Sequence, residues 1–427
     1  MQLQALPGFR DFFPADHTIR SHIFAAWRTV ATRYGFEEYD GPPLEPLELY
    51  TAKSGDEIVG QLYNFEDKGG RQVSLRPEMT PTLARMVAAR ANGLRKPIRW
   101  FSLPQLFRYE RQQRGRLREH FQLNCDLIGE AGPGADAEII ALAIDVMRAL
   151  GLGAADFKVR LSDRRILDAL LRHRQQSDAQ IAVWHQVLDK FGRTPEEVSQ
   201  QKLRDAGVAD ADSDAIIALA RAKSWEPLSA PALAGASGSL LEVVRLLGAM
   251  GLAEYVEPDF TIVRGLAYYT GTVFELFDTH GELRAICGGG RYDSLVGAIG
   301  GVDLPCVGFG MGDVVLAELL KERGLLPSTE ARLDVFVATV SDEDRPDALA
   351  LAHELRDAGI SAEYALGSQA LGKQLKQADA RGARCAVVIG PDDRARGEVQ
   401  IKDLASHRQL AAKRSDAVGA VAALLAG

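Results

Sequence analysis

The chain predicts an α+β multidomain protein: a mostly antiparallel-sheet unit (1–325) interrupted by a helical insertion (about 163–250), then a mixed-sheet α/β domain (331–427). Three observations predict it. Strand-type runs dominate before residue 130 and return after 260. Residues 163–250 are rich in Ala, Leu, Asp, Arg and Gln and nearly free of strand-like alternation. Beyond the Pro-bearing, charged linker GLLPSTEARL (324–333), strands alternate with helices, the signature of a small α/β domain. A length of 427 residues suits two to four domains.

Taken in order, residues 17–34 carry apolar side chains at helical spacing behind Pro14-Ala15-Asp16, which predicts an amphipathic helix. GFEEYDGPP (35–43) then reads as a turn, a short strand and a proline stop. Further strands are expected at 62–67, 72–76, 98–110 and 121–130, and a helix follows Gly134. After the insertion, strand-type sequence resumes at 260–278, 283–295 and the Gly-rich 305–313, which leads into a helix. In the last domain the expected strands are 334–340, 361–366, 385–391 and 399–404, with helices between them and an Ala-rich helix at the end.

Composition narrows the class. With 46% hydrophobic and 25% charged residues, collagen-like, disulfide-framework and wholly disordered chains are excluded. No run approaches 18 apolar residues and the N-terminus has no signal-peptide pattern, so no membrane partner and a cytoplasmic location are expected. Cys125, Cys287, Cys306 and Cys385 lack metal-ligand spacing and read as small buried hydrophobes. A formal charge of −8 argues against indiscriminate polyanion binding while permitting a local basic surface.

Such a surface is written at FRYERQQRGRLRE (107–119), where five arginines face one glutamate between Arg108 and Arg118. A bare charge cluster is ordinarily a solvated hairpin tip. Here it joins two strand-like runs, and guanidinium forks suit phosphate oxygens. LRPEMTPT (75–82) is a strand ending in a carboxylate and two hydroxyls ahead of a helix, and Thr80 or Thr82 would also serve as a simple helix cap. RGLAYYT (264–270) places an arginine and a tyrosine pair in a strand-like run, and GGGRYD (288–293) follows. Tyrosines in strands usually pack, and triple glycines mark a turn, a bulge or a close approach of ligand to backbone.

Together these stretches resemble class II aminoacyl-tRNA synthetases and, among them, the histidyl-tRNA synthetase family, over nearly the whole chain. The helix with GFEEYDGPPLEP resembles motif 1, and FRYERQQRGRLREHFQ resembles motif 2. RGLAYYTGTVFE and AICGGGRYDSL resemble the two histidine-specific signatures, and DVFVATV to VQIKDL resembles the anticodon-binding domain. The resemblance implies ligation of L-histidine to tRNA(His) through an adenylate formed from ATP, with Mg2+ as the ATP counter-ion, in a homodimer. It implies a histidine site from Glu78, Met79, Thr80, Gln122, Asp126, Tyr268 and Tyr269. Glu78 and Thr80 would meet the α-amino group, Gln122 would bridge the amino and carboxylate ends, and Asp126 and the tyrosines would read the imidazole. It implies Arg108 at the α-phosphate, Arg264 as the catalytic arginine that neutralises the attacking carboxylate and the pentavalent phosphorus, and Arg116 toward the γ-phosphate. Gln113 and Arg114 are the implied acceptor-stem contacts.

Four departures from the family pattern stand out. Ala267 replaces an acidic residue, Gln112 stands where proline is common, and Asp126 is one methylene shorter than the usual glutamate. Val314 and Val315 occupy the Glu-Arg pair of motif 3, whose arginine serves adenine and the γ-phosphate. The alternative reading is a non-catalytic paralogue: a histidine-sensing regulatory subunit of ATP phosphoribosyltransferase, or an RNA-binding protein. A regulatory paralogue needs the histidine pocket but neither the arginine set nor an anticodon domain.

Overall fold

The computed structural model describes residues 3–51, 60–111, 113–189, 191, 194–262, 268–281, 283–329 and 333–426. The chain divides into two compact units, Met1–Pro327 and Ser328–Gly427. Pro14 opens the first helix, Pro14–Arg33, at a position whose N–H needs no intrahelical partner. The helix buries Ile23, Trp27, Val30 and Ala31 along one stripe and ends at Gly35, whose φ of +74° provides the left-handed turn that only glycine adopts cheaply. The chain then enters β1 (Glu37–Glu38) and β2 (Leu44–Pro46).

The other strands of this unit are β3 (Asn64–Glu66), β4 (Gln72–Leu75), β5 (Ile98–Ser102), β6 (Gln105–Phe107), β7 (Glu119–Ile128) and β8 (Phe157–Asp163). They continue with β9 (Val256–Pro258), β10 (Thr272–Asp278), β11 (Cys287–Arg291) and β12 (Cys306–Gly312). Among the described residues they build a nine-stranded sheet in the order β1-β5-β7-β12-β11-β10-β8-β9, with β6 also on β7, and a small sheet β2-β4-β3. Only the outer pairs β1–β5 and β8–β9 are parallel. The strand expected over 98–110 is two strands, because Leu103-Pro104 interrupts the ladder; proline donates no ladder hydrogen bond. Of the strand expected over 260–278, residues 263–267 lie outside the described residues and the described part is a strand at Thr272–Asp278, with Tyr268 and Tyr269 in the connecting segment before it; that expected over 283–295 shrinks to Cys287–Arg291.

Where described, residues 164–249 form helices and the turns that join them, with no strand. Asp163 caps the first of these helices, Arg164–His173, accepting from the Arg165 N–H at 2.9 Å. The last, Ala234–Ala249, is the one described segment apolar enough, with the residues just before it, to cross a bilayer by length and composition. It instead packs Leu240, Val243 and Leu247 into the core shared with the helix Pro133–Ala149. One face of the large sheet rests on that core, which gathers Trp27, Phe101, Leu123, Phe274 and Leu316.

A buried ion pair locks sheet to helix. Arg291 at the end of β11 donates to Asp136 at 2.5 Å and to the carbonyls of Glu130 and Gly132 at 3.1 and 3.2 Å. Burial pushes the Asp136 carboxyl upward and Arg291 pulls it back. Arg291→Ala strands Asp136 and is expected to destabilise this unit by about 3–5 kcal/mol. Without its partner Asp136 takes up a proton more readily, and a raised carboxyl value favours the fold only at low pH. The penalty, read from denaturation midpoints, is therefore expected to be larger at pH 7.5 than at pH 5.

The second unit holds β13 (Leu333–Thr339), β14 (Ala362–Tyr364), β15 (Ala383–Ile389), β16 (Glu398–Asp403) and β17 (Gln409–Lys413) in the order β14-β13-β15-β16-β17. β13 is parallel to both neighbours, and β16 and β17 run antiparallel. Val335, Val337, Leu351, Leu355, Val387 and Ile401 are its core. β17, which the sequence pattern does not mark, is almost wholly exposed, so it shows no alternation to read.

Candidate active site

The open face of the large sheet is organised by β7. Side chains on a strand alternate, and here Leu123, Cys125 and Leu127 enter the core while His120, Gln122, Asn124 and Asp126 line cavities on the opposite face. On one side of it, β12 and β11 contribute almost no side chains to that face. Asp126 lies across from Gly308, Asn124 from Gly310 and Gln122 from Gly312 on β12; beyond them Gly290 pairs with Gly308 and Gly288 with Gly310. The result is a trough floored by backbone. Gly308 and Gly310 are required sterically: a Cβ on Gly308 would collide with Asp126, and one on Gly310 would lie 2.6 Å from the Gln122 amide.

Two cavities occupy this trough. The smaller, about 70 Å³, is lined by Glu78, Thr80, Gln122, Asp126, Tyr268 and Tyr269, together with Arg108, Asn124 and Tyr292. Glu78 is buried and accepts from the Tyr268 hydroxyl at 2.9 Å. Asp126 is buried and accepts from the Tyr292 hydroxyl at 2.5 Å. Burial lifts the Asp126 carboxyl to about 7, against a lowering by Tyr292. The three tyrosine rings meet edge to face, with Tyr268 5.5 Å from Tyr269 and 5.8 Å from Tyr292, and burial raises all three hydroxyls. A small pocket with one carboxylate at each end suits a ligand carrying an ammonium and a ring N–H.

Met79 departs from the expectation. Its side chain is fully buried, with Sδ 3.7 Å from Arg76 Nη1, and it is not among the residues that line the pocket. Its position at the start of the helix Thr80–Arg90 makes it a packing residue.

The larger cavity, about 670 Å³, opens beside the first and shares Arg108, Gln122, Gly288 and Gly310 with it. Arg108 sits one residue beyond β6, and its Nε donates to the Pro77 carbonyl at 2.9 Å. Arg116 also lines the cavity, paired with Glu110. His120 is held neutral there: burial, then Arg108, Arg10 and Arg116, push it down to about 3. Arg284, Glu275 and Phe277 form part of the remaining wall, with Val314 and Val315 at the start of the helix Asp313–Glu322. That start is pinned by Asp313, which accepts the Phe121 N–H at 2.9 Å and pairs with Arg10, itself 2.6 Å from Glu119.

Gln113 is engaged through its backbone with Arg116, and Arg114 pairs with Glu322 and lies 3.7 Å from Glu318. Arg264, Ala267 and Gln112 lie outside the described residues. The sequence pattern assigns no role to Glu110, His120, Asn124, Glu275, Arg284 or Tyr292. His120 and Asn124 carried a signal, since they share the period-two face of Gln122 and Asp126. The others arrive from separate strands and turns. Gly310→Ala is expected to displace the Gln122 amide into the small pocket. It should weaken binding of the small pocket's ligand about 10- to 100-fold while the thermal midpoint changes little.

An antiparallel sheet backed by helices, bearing an amino-acid-sized pocket that opens into a larger cationic cleft, is the catalytic architecture of a class II aminoacyl-tRNA synthetase. Known proteins agree with it. The family model "Histidyl-tRNA synthetase" matches residues 8–313 and "Anticodon binding domain" matches 334–424. The histidine–tRNA ligase of Opitutus terrae is 45% identical over 414 residues, covering 95% of each chain. That of Natronomonas pharaonis is 41% identical over 409 residues, covering 95% of this chain and 94% of its own. The crystal structure of histidyl-tRNA synthetase from Nostoc sp. PCC 7120 superposes with a TM-score of 0.83 at 26% identity, covering 99% of each chain. The chain belongs to the histidyl-tRNA synthetase family.

Proposed function

We propose that this chain is a histidine–tRNA ligase. The carrying observation is the wall shared by the two cavities: Arg108, Gln122, Gly288 and Gly310 border both, so an amino acid in one directs its carboxylate at a nucleotide in the other. Glu78 and Thr80 hold the α-ammonium, Gln122 bridges toward the carboxylate, and Asp126 with Tyr268 and Tyr269 frames the imidazole. Histidine then attacks the α-phosphorus of ATP from a fixed approach. Pyrophosphate leaves, and Arg108 and Arg264 neutralise the developing negative charge. In the second step the 3′-terminal adenosine of tRNA(His) takes the acyl group and AMP departs.

Mg2+ would accompany ATP. It needs only one or two carboxylates plus phosphate oxygens, and Glu110 and Glu275 are the carboxylates of the cleft. Arg116 reaches the γ-phosphate by exchanging its Glu110 pair for the phosphate. Gln113 and Arg114 meet the acceptor stem, and the 334–424 domain reads the anticodon of the same tRNA, which favours the ligase over a regulatory paralogue. The working form in this reading is a cytoplasmic homodimer.

Histidine-dependent ATP–pyrophosphate exchange by the pure protein, followed by charging of tRNA(His), tests the proposal. Histidine binding without exchange would overturn it in favour of a sensing paralogue.

A further inference from the structure

Tyr39 lines neither cavity, yet the sheet brings it to the Asp126 side of the smaller one. It continues from β1, and its N–H donates to the Phe101 carbonyl of β5 at 2.8 Å. Phe101 enters the large core, so alternation along β5 turns Trp100 and Ser102 to the trough face, where they lie across from Asp126 and Asn124. The Tyr39 ring packs on Trp100 with centroids 5.5 Å apart, in the apolar cluster that also holds Tyr268, Tyr269 and Tyr292.

The Tyr39 hydroxyl is buried with no hydrogen-bond partner among the described residues, and so is Ser102 Oγ. An unpartnered buried hydroxyl is costly, and phenylalanine would cover Trp100 equally well without that cost. After burial itself, the Asp126 carboxylate does most to raise the Tyr39 hydroxyl. Asp126 in turn has one described hydrogen bond, from the Tyr292 hydroxyl to Oδ1. An ionised carboxylate accepts about four, so this one has room for a second donor beside the ligand.

We infer that Tyr39 is a positioning residue of the small pocket: its hydroxyl donates across one water to the Asp126 carboxylate whenever that carboxylate is ionised, and so aims it and keeps it charged for a ring N–H. The ligand's identity, histidine, rests on the ligase reading. Ser102 Oγ offers the water a further partner. The other described ionisable groups around Asp126 are Tyr292, Tyr269, Tyr268, Cys125 and Cys306, and burial raises all of them, so they stay neutral below about pH 8.5. On the Tyr39 side Arg76 and Asp40 are paired at 2.8 Å, and Glu78 accepts from Tyr268 at the pocket's other end.

The test is titration of wild-type protein and Tyr39→Phe with L-histidine from about pH 5.5 to 8.5. The variant keeps the ring on Trp100, and the ratio of the two affinities cancels the titration of histidine itself and of Glu78. Where Asp126 is protonated in the free protein, the bond from Tyr39 forms only on binding, and its loss should weaken the variant about tenfold. Where Asp126 is already ionised, free and bound protein lose the bond alike and the ratio should approach one. The midpoint of the histidine pH profile therefore rises by roughly one unit. Ligand-free unfolding gives a second reading: a raised carboxyl favours the fold only at low pH, so the decline of stability with pH should run about one unit further in the variant than in wild type. Overlapping profiles, or equal weakening at every pH, would overturn the inference. A wild type that does not bind histidine would remove the ligase reading, while the ligand-free profiles still decide whether Tyr39 acts on Asp126.

Discussion

Arg108→Ala is expected to lower the maximal rate of histidine-dependent ATP–pyrophosphate exchange by about 10²- to 10³-fold, with a far smaller change in histidine affinity. Among the described residues, Arg108 is the cation common to both cavities. Its Nε is tied to the Pro77 carbonyl at 2.9 Å, which holds the guanidinium at the wall where carboxylate and α-phosphorus must meet. Charge grows on the phosphorus oxygens as the new bond forms, so a fixed donor there acts more strongly on the transition state than on bound substrates. Arg108→Lys should recover little, because a flexible point charge does not reproduce the fork. The measurement is exchange kinetics beside a histidine titration. A rise in KM for ATP with an unchanged maximal rate would mean that Arg108 serves binding only.

Asp126→Ala is expected to reduce kcat/KM for histidine by about 10³-fold, since it removes the ring's acceptor and leaves the buried Tyr292 hydroxyl without its partner. Asp126→Asn separates the two effects: it keeps an acceptor for Tyr292 and loses only the ionisable group. Stability should move in the opposite sense. Burial raises the Asp126 carboxyl from 3.8 to about 7 in the fold, so its contribution is complete below about pH 4 and is lost as pH rises toward 7. The Asn variant should lack that decline, and ligand-free unfolding followed from pH 4.5 to 8 checks it. Parallel pH profiles for the two proteins would show that Asp126 is ionised throughout.

Much of the fold could be read along the chain because the governing physics is local. The helix Pro14–Arg33 was legible from its proline start and apolar stripe, and the insertion from the loss of strand alternation beyond Asp163. The two compact units divide between Pro327 and Ser328. Where reading failed, a local signal was missing or misleading. Tyr268 and Tyr269 look like strand residues because aromatic side chains favour sheets, but pocket packing holds them outside the ladder. β17 escaped because an exposed edge strand has no buried face to mark it. Met79 read as part of the pocket because it lies between Glu78 and Thr80, yet its side chain points to the core.

The sequence by itself determined the two-unit organisation, the helical insertion and the family, and it marked the residues from which the proposed histidine and ATP site is drawn. Tertiary structure alone decided how those residues are paired and which of them share a cavity. Tyr292 meets Asp126 across 166 positions and Tyr268 meets Glu78 across 190, while Arg116 is turned to Glu110 and Arg284 borders the larger cavity. The reason is physical. Periodicity and capping act within a few residues of chain, whereas charge pairing, burial and the shift of the Asp126 carboxyl depend on distances set by strand order and register. The glycines show both levels at once: GGG and GFGMG are visible in the chain, but only the pairing of β7, β12 and β11 makes them the floor of a trough.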